Sequence, residues 1–229
     1  MTKNPGLAGI LCFALVAACL VPLTFGQQPG GAQSVNLAEQ LSAGQLHGVN
    51  RTASALPAPA GSVHLSEAAG SGLVWLKGTE FSEGTIEVEV RGRDVYQQSF
   101  PGIAFHGVDD QTYEAVYLRP FNFRADDPVR HKHAVQYVSV PDNDWPKLRE
   151  KFPDEFESSV DVDKTIEPAG WVSLRIVVAA KSVRVYVGKA TVPALSVRRL
   201  GSAEHGMIGL WAGNNSDGDF ANLRITRTK

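Results

Sequence analysis

The stretch GTIEVEVRGR (84–93) decides the fold. Ile86, Val88 and Val90 alternate with Thr85, Glu87, Glu89 and Arg91, which is the period of a strand with one buried and one wet face. Glu87 and Glu89 then belong to the solvated side. The same grammar recurs on both sides of this stretch. Val63-His64-Leu65 and Gly72-Leu73-Val74-Trp75-Leu76 are short strands parted by a Gly-Ser turn at 70–72. Trp171–Ala179 and Ser182–Gly188 form a hairpin about Ala180-Lys181, with Val172, Leu174, Ile176 and Val178 inside. Met207–Ala212 and Phe220–Thr226 flank the polar turn 213–219. About ten short strands with Gly and Asn turns, and almost no helical period, predict an all-β, two-sheet antiparallel jelly-roll sandwich.

Polar groups suited to recognition concentrate in FPGIAFHG (100–107), TYEAVYLRPFNFR (112–124) and HAVQYVSVPDNDWPKLR (133–149). Alternation puts Tyr113, Ala115, Tyr117 and Arg119 on one face of a strand and Glu114, Val116 and Leu118 on the other. Pro120 ends that strand and leaves Arg119 at its mouth. Tyr117, Arg119, Asn122, Gln136, Tyr137, Asp144, Trp145 and Arg149 supply planar hydrogen-bonding groups together with aromatic faces, the two requirements of a sugar site. Arg149 with Arg124 offers a clamp for a carboxylate such as that of a uronic acid. Trp145, in the loop 141–146, either caps the sandwich or stacks on a ligand.

The chain has 229 residues, 43% of them hydrophobic, enough for one core, and a net charge of −2. No Lys/Arg-rich run exists to meet a phosphate backbone, so nucleic acid is not an expected partner. Lys3 followed by the apolar run Leu7–Leu23 and by Thr24-Phe25-Gly26 predicts a signal peptide over 1–26, too short for a comfortable membrane span. Val16-Ala17-Ala18 before Cys19 is the rival reading, a lipid anchor at Cys19. Either route exports the protein to a periplasmic or extracellular location. Both cysteines, Cys12 and Cys19, precede the cleavage point, so the mature chain contains neither a disulfide nor a thiolate. Residues 27–48, rich in Gln, Gly, Ala and Ser, are expected to form a flexible leader with a helical turn or two near Leu37–Leu41, and 49–229 the sandwich domain.

The order FSEGTIEVEVRG (81–92), FPGIAFHG (100–107), YEAVYLRP (113–120), VSLRIVV (172–178), VRVYV (183–187) and MIGLWAG…DFANLRI (207–225) resembles the concanavalin A-like lectin/glucanase superfamily. Within it the likeness is to exported bacterial domains of the 3-keto-disaccharide hydrolase-like and laminin-G-like kinds, over roughly 49–228. Such domains place a Tyr-Glu pair after the G-I-x-F strand. The resemblance therefore implies an acid/base or metal-facing role for Glu114, although the companion polar position two residues on is Val116.

A glycanase needs two carboxyl groups at about 5–5.5 or 6.5–9.5 Å, and no E-x-D-x-x-E run is present. Three readings follow: a carbohydrate-binding cleft, which the missing acid pair favours; a glycoside hydrolase centred on Glu114; and a laminin-G-like interaction module. No cofactor is expected. His131-x-His133 lacks a third metal ligand nearby, and the oxygen-rich turn Asn214–Asp219 is either a structural calcium loop or ordinary turn chemistry. Asn50-Arg51-Thr52 and Asn214-Asn215-Ser216 match the glycosylation triplet, a match that chance also explains.

Overall fold

In a computed structural model describing residues 1–2, 31–161 and 163–228, the chain forms two antiparallel sheets packed face to face. Apart from residues 1–2, the expected signal peptide, with its cleavage point and Cys19, lies outside the described residues. In chain order the elements are β1 (Ala32–Val35), α1 (Leu37–Ser42), β2 (Leu46–Val49), β3 (Ala53–Ala55), β4 (Val63–Leu65), β5 (Gly72–Phe81), β6 (Gly84–Arg91), β7 (Pro101–Gly107) and β8 (Tyr113–Leu118). A 3-10 turn at Pro120–Asn122 leads to α2 (Pro128–His131), β9 (Val135–Val140), α3 (Trp145–Lys151) and β10 (Glu157–Ser158). The chain closes with β11 (Val172–Ala179), β12 (Ser182–Val187), β13 (Leu195–Arg198), β14 (Gly206–Ala212) and β15 (Gly218–Arg227). Among the described residues, no helix is long and apolar enough to cross a membrane.

One sheet runs β13-β12-β11-β6-β15-β4-β3, with β1 also paired to β15; the other runs β10-β9-β8-β7-β14-β5-β2. Strand β6 shows the buried/half-exposed alternation its sequence predicts, and Glu87 and Glu89 sit on the half-exposed side. Its Ile86, Val88 and Val90 meet Ile176, Leu174 and Val172 of β11 in register, one apolar row of the inter-sheet core. Each such Val, Leu or Ile contributes about 1.5–3 kcal/mol by leaving water. The second sheet differs. Strands β7 and β8 are buried along both faces, because loops and α3 cover the outer face that the first sheet leaves wet.

Residues 32–48 correct the expected leader. Strand β1 pairs with β15 from Ala32↔Thr226 to Val35↔Leu223, and Leu37 is fully buried, so among the described residues the sandwich reaches back to Ala32 rather than starting at 49. Only Val35 of β1 is buried. Backbone pairing, not side-chain alternation, holds this strand, so it left no periodic trace.

Candidate functional site

Strand β8 sends Glu114, Val116 and Leu118 into the core and Tyr113, Ala115 and Tyr117 to the outer face. Across that outer face, Gln136, Tyr117, Gly102 and Trp211 lie side by side on β9, β8, β7 and β14. Gly102 makes the next contact feasible. A Cβ there would sit 2.5 Å from the Tyr117 Cβ and 2.7 Å from its Cα. With no side chain in between, Tyr117 and Trp211 stack at 4.7 Å between centroids and 28° between planes. The Trp211 Nε1–H donates to the Tyr113 hydroxyl at 3.1 Å, and Tyr113 packs edge-on to Trp75 at 5.9 Å. On the other side Phe100 lies 6.1 Å from Tyr117, and Phe121 lies 5.5 Å from Phe100 and 5.6 Å from Tyr96. An aromatic floor thus crosses the sheet.

Above it opens a cleft of about 460 Å³, within the range of small-ligand sites. Tyr117, Arg119, Asn122, Asp144, Trp145 and Arg149 all line it, so six of the expected binding residues converge. Both terminal nitrogens of Arg119 are held: Nη1 donates to the His133 carbonyl at 3.0 Å, and Nη2 to the Tyr117 hydroxyl at 2.9 Å and to Gln136 Oε1 at 3.0 Å. Burial pulls the Arg119 guanidinium below its usual range and pushes the Tyr117 phenol up to about 12. Tyr117 therefore stays protonated, accepting from Arg119 and keeping its own proton to donate. Gln136 is fully buried beneath Arg119, with Nε2 committed to the carbonyls of Tyr137 and Phe156, and it orients the arginine instead of lining the cleft.

The far wall is α3. Asp144 caps it, accepting from the Trp145 N–H at 2.7 Å, and Pro146 fits the first turn, where a missing N–H costs nothing. The sequence Pro-Asp-Asn-Asp-Trp-Pro reads as turn chemistry, and the helix starts only at its Trp145. Trp145, 41% exposed, stands at the rim with the Arg149 guanidinium 4.8 Å above its ring. Arg149 Nε and Nη2 bind Glu157 at 2.8 and 2.7 Å, and Glu157 also faces His133 at 3.2 Å and Arg119 at 3.5 Å. The expected Arg124–Arg149 clamp does not form, since Arg124 pairs with Glu167 at 2.7 Å away from the cleft.

Glu114 and Tyr137 lie away from the cleft. Tyr137 pairs with Val116 and so faces the core, where its hydroxyl donates to Glu114 Oε2 and accepts from the Leu200 N–H at 3.0 Å. Arg199 reaches Glu114 Oε1 at 2.6 Å, and His106 Nδ1 lies 2.8 Å from the same oxygen while its Nε2–H donates to the Ser82 carbonyl. His106 sits at φ +51 where β7 holds one residue more than β14, a bulge that turns it inward beside Phe105. Glu114 is 1% exposed and fully partnered. The space beside it, about 120 Å³, falls below the roughly 300 Å³ of a small-ligand site. The Glu114 oxygens are engaged by Tyr137, His106 and Arg199 inside the sandwich, away from the larger cleft.

Burial alone would raise the Glu114 carboxyl, but hydrogen bonds from His106, Arg199 and Tyr137 outweigh it and hold the carboxyl below its ordinary 4.5. A depressed folded value means the unfolded chain takes up the proton first. The stabilisation is therefore complete above about pH 4.5 and is lost as pH falls through the folded value. Urea midpoints of wild type and Glu114→Gln should differ most near neutrality and converge in acid; curves parallel from pH 7 to about pH 3 would contradict this.

Sequence reasoning missed Trp211, Phe100, Phe121, Tyr96, Arg130 and the buried Glu157. Trp211 becomes visible only once Gly102 is known to be its cross-strand neighbour. His131 ends α2 and meets Asp161 at 2.7 Å, while His133, in the turn that follows, faces Glu157. His133, Asp154 and Glu157 present ligand atoms within 4.8 Å of one another, but the guanidinium charges of Arg149 and Arg119 at Glu157 oppose a cation there. In the 213–219 turn, Asp219 binds Arg91 at 2.6 Å and Asp217 faces Arg93 at 2.9 Å, so these carboxylates are committed to ion pairs. The Asn50 amide nitrogen donates to the carbonyls of Ala69 and Ser71, bonds that a glycan on it would displace.

The two sheets and their order define a concanavalin A-like sandwich. Among solved structures, the chain is similar to the carbohydrate-binding module CBM66 from Bacillus subtilis (TM-score 0.55, 11% identity, 80% of this chain and 96% of that one). It is also similar to a Bacillus subtilis protein of unknown function with a galectin-like fold (0.56, 11%, 87% and 97%). A third likeness is to the exoplasmic/lumenal domain of VIP36 with Ca²⁺ and Man3GlcNAc bound (0.51, 9%, 81% and 84%). No protein-family model matches the sequence. No curated protein matches it either.

Proposed function

We propose that the protein is an exported carbohydrate-binding sandwich whose ligand lies in the cleft on the outer face of the seven-stranded sheet. The carrying observation is the combination within one cleft of an aromatic floor, Tyr117 on Trp211, with side chains fixed by their own hydrogen bonds: Arg119, Asn122, Asp144 and Arg149. Rings take the apolar face of a sugar while pre-oriented planar groups take its hydroxyls without an ordering cost. The fold likeness to a carbohydrate-binding module and to a glycan-bound lumenal domain supports this reading. Binding is favoured over hydrolysis because Asp144 is the only carboxylate lining the cleft among the described residues, where cleavage calls for a pair. Export rests on the signal-like residues 1–26, with residues from 32 on as the working domain.

Trp145→Ala tests the reading, because the ring stands at the rim and its removal leaves the core intact. In calorimetry against a saccharide selected on a glycan array, we expect affinity to fall about tenfold or more, with the unfolding midpoint unchanged. Unaltered affinity, or an array with no response, would sink the proposal.

A further inference from the structure

Three arginines line the cleft, and each lies over an aromatic ring: Arg119 over Tyr117 at 5.0 Å, Arg130 over Tyr96 at 4.3 Å and Arg149 over Trp145 at 4.8 Å. A ring beneath a guanidinium fixes its plane, although Arg119 and Arg149 already spend most of their N–H groups on protein acceptors. Their charges are not matched one for one. Arg119 and Arg149 share the single buried carboxylate of Glu157, which His133 also approaches. Arg130 has no carboxylate partner among the described residues. Its Nη2 donates to the Phe121 carbonyl at 3.1 Å and its Nε to Asn122 Oδ1 at 3.4 Å, both neutral acceptors, and its Nη1 has no acceptor among the described residues. Asp144, the one lining carboxylate among them, spends Oδ1 on the cap of α3.

The cleft therefore carries more fixed cationic groups than carboxylates, three arginines against Asp144 among the described lining residues. Neutral sugar hydroxyls donate as readily as they accept, and a site built for them needs acceptors in comparable number. A planar carboxylate only accepts, and it matches a guanidinium edge with two parallel bonds.

We propose that the cleft takes an acidic saccharide, and that Arg130, supported by Arg149 and Arg119, receives its carboxylate. This rests on the carbohydrate reading above and narrows it to a class of ligand.

The test is calorimetry of the purified protein and of Arg130→Gln with four probes of equal length: an oligogalacturonide, its methyl ester, a neutral oligosaccharide and a sulfated one. The expected result is that the free acid binds on the order of ten- to a hundredfold more tightly than the ester. Arg130→Gln should erase that ratio, and the acid's affinity should fall as salt rises from about 50 to about 500 mM. The salt series on wild type discriminates even where the variant folds poorly, since an affinity indifferent to salt would overturn the charge-based inference by itself. Equal binding of acid, ester and neutral chain overturns the acidic-ligand inference while the carbohydrate reading stands. A sulfated oligosaccharide that outbinds the uronate likewise overturns the carboxylate assignment. Failure of every saccharide, acidic or neutral, overturns both.

Discussion

Glu114→Ala should unfold about 3–5 kcal/mol more easily than wild type in urea at neutral pH. The loss comes from what the carboxylate leaves behind. Arg199 would remain buried without its counter-charge, its Nε and Nη2 having both lost Glu114, and the Tyr137 hydroxyl would lose its acceptor. The effect is also long-range. Arg199 and the Leu200 N–H dock the 199–203 segment onto the sheet, and Gly201 lies so close to Glu114 that a Cβ there would stand 2.7 Å from the carboxyl carbon. Replacing both charges, Glu114→Leu with Arg199→Leu, should recover most of the loss, because an apolar pair leaves no uncompensated charge. An unchanged urea midpoint in Glu114→Ala would refute the structural role. So would loss of saccharide binding at unchanged stability, which would return Glu114 to the ligand.

Arg51→Met should cost about 3 kcal/mol or more by a related route. Its Nη1 donates to the Asn50 carbonyl and its Nη2 gathers those of Ala68, Gly70, Ala212 and Gly213, tying two loops into one rim. Methionine fills much of the volume but donates nothing, so several half-buried carbonyls lose their partner at once. Because Ser71, Gly213 and Asn214 border the cleft, saccharide affinity should fall along with stability. The sharpest readout is amide exchange, with faster exchange confined to the two loops. A melting temperature within about 2 °C of wild type would contradict the assignment.

What the chain discloses before folding depends on which side of each strand meets water. Strands β6, β11 and β12 bury one face and wet the other, so their alternation is visible in the sequence and their pairing follows from it. Strands β7 and β8 are covered on both faces, and there a period of two cannot say which face is which. Tyr117 and Arg119 can still be assigned to the cleft because Pro120 marks the strand mouth. Glu114 cannot be assigned, because its partner Arg199 is distant in sequence and nothing near Glu114 announces it. Tyr137 is misplaced by sequence reasoning for the same cause: only the register Tyr137↔Val116 separates it from its neighbour Gln136. Glu157 escapes notice in a two-residue edge strand, too short to show any pattern.

Gly102 also constrains how the cleft can change. With no room for a Cβ against Tyr117, that position is closed to every other residue, and the spacing of the two floor rings is set by the sheet itself. Diversification must then come from the walls, where Tyr96, Arg130 and Trp145 stand on connecting segments and short helices at the rim. Chains of this fold that keep a glycine here would share one aromatic base under different ligands, and their preferences would be exchangeable by grafting walls alone.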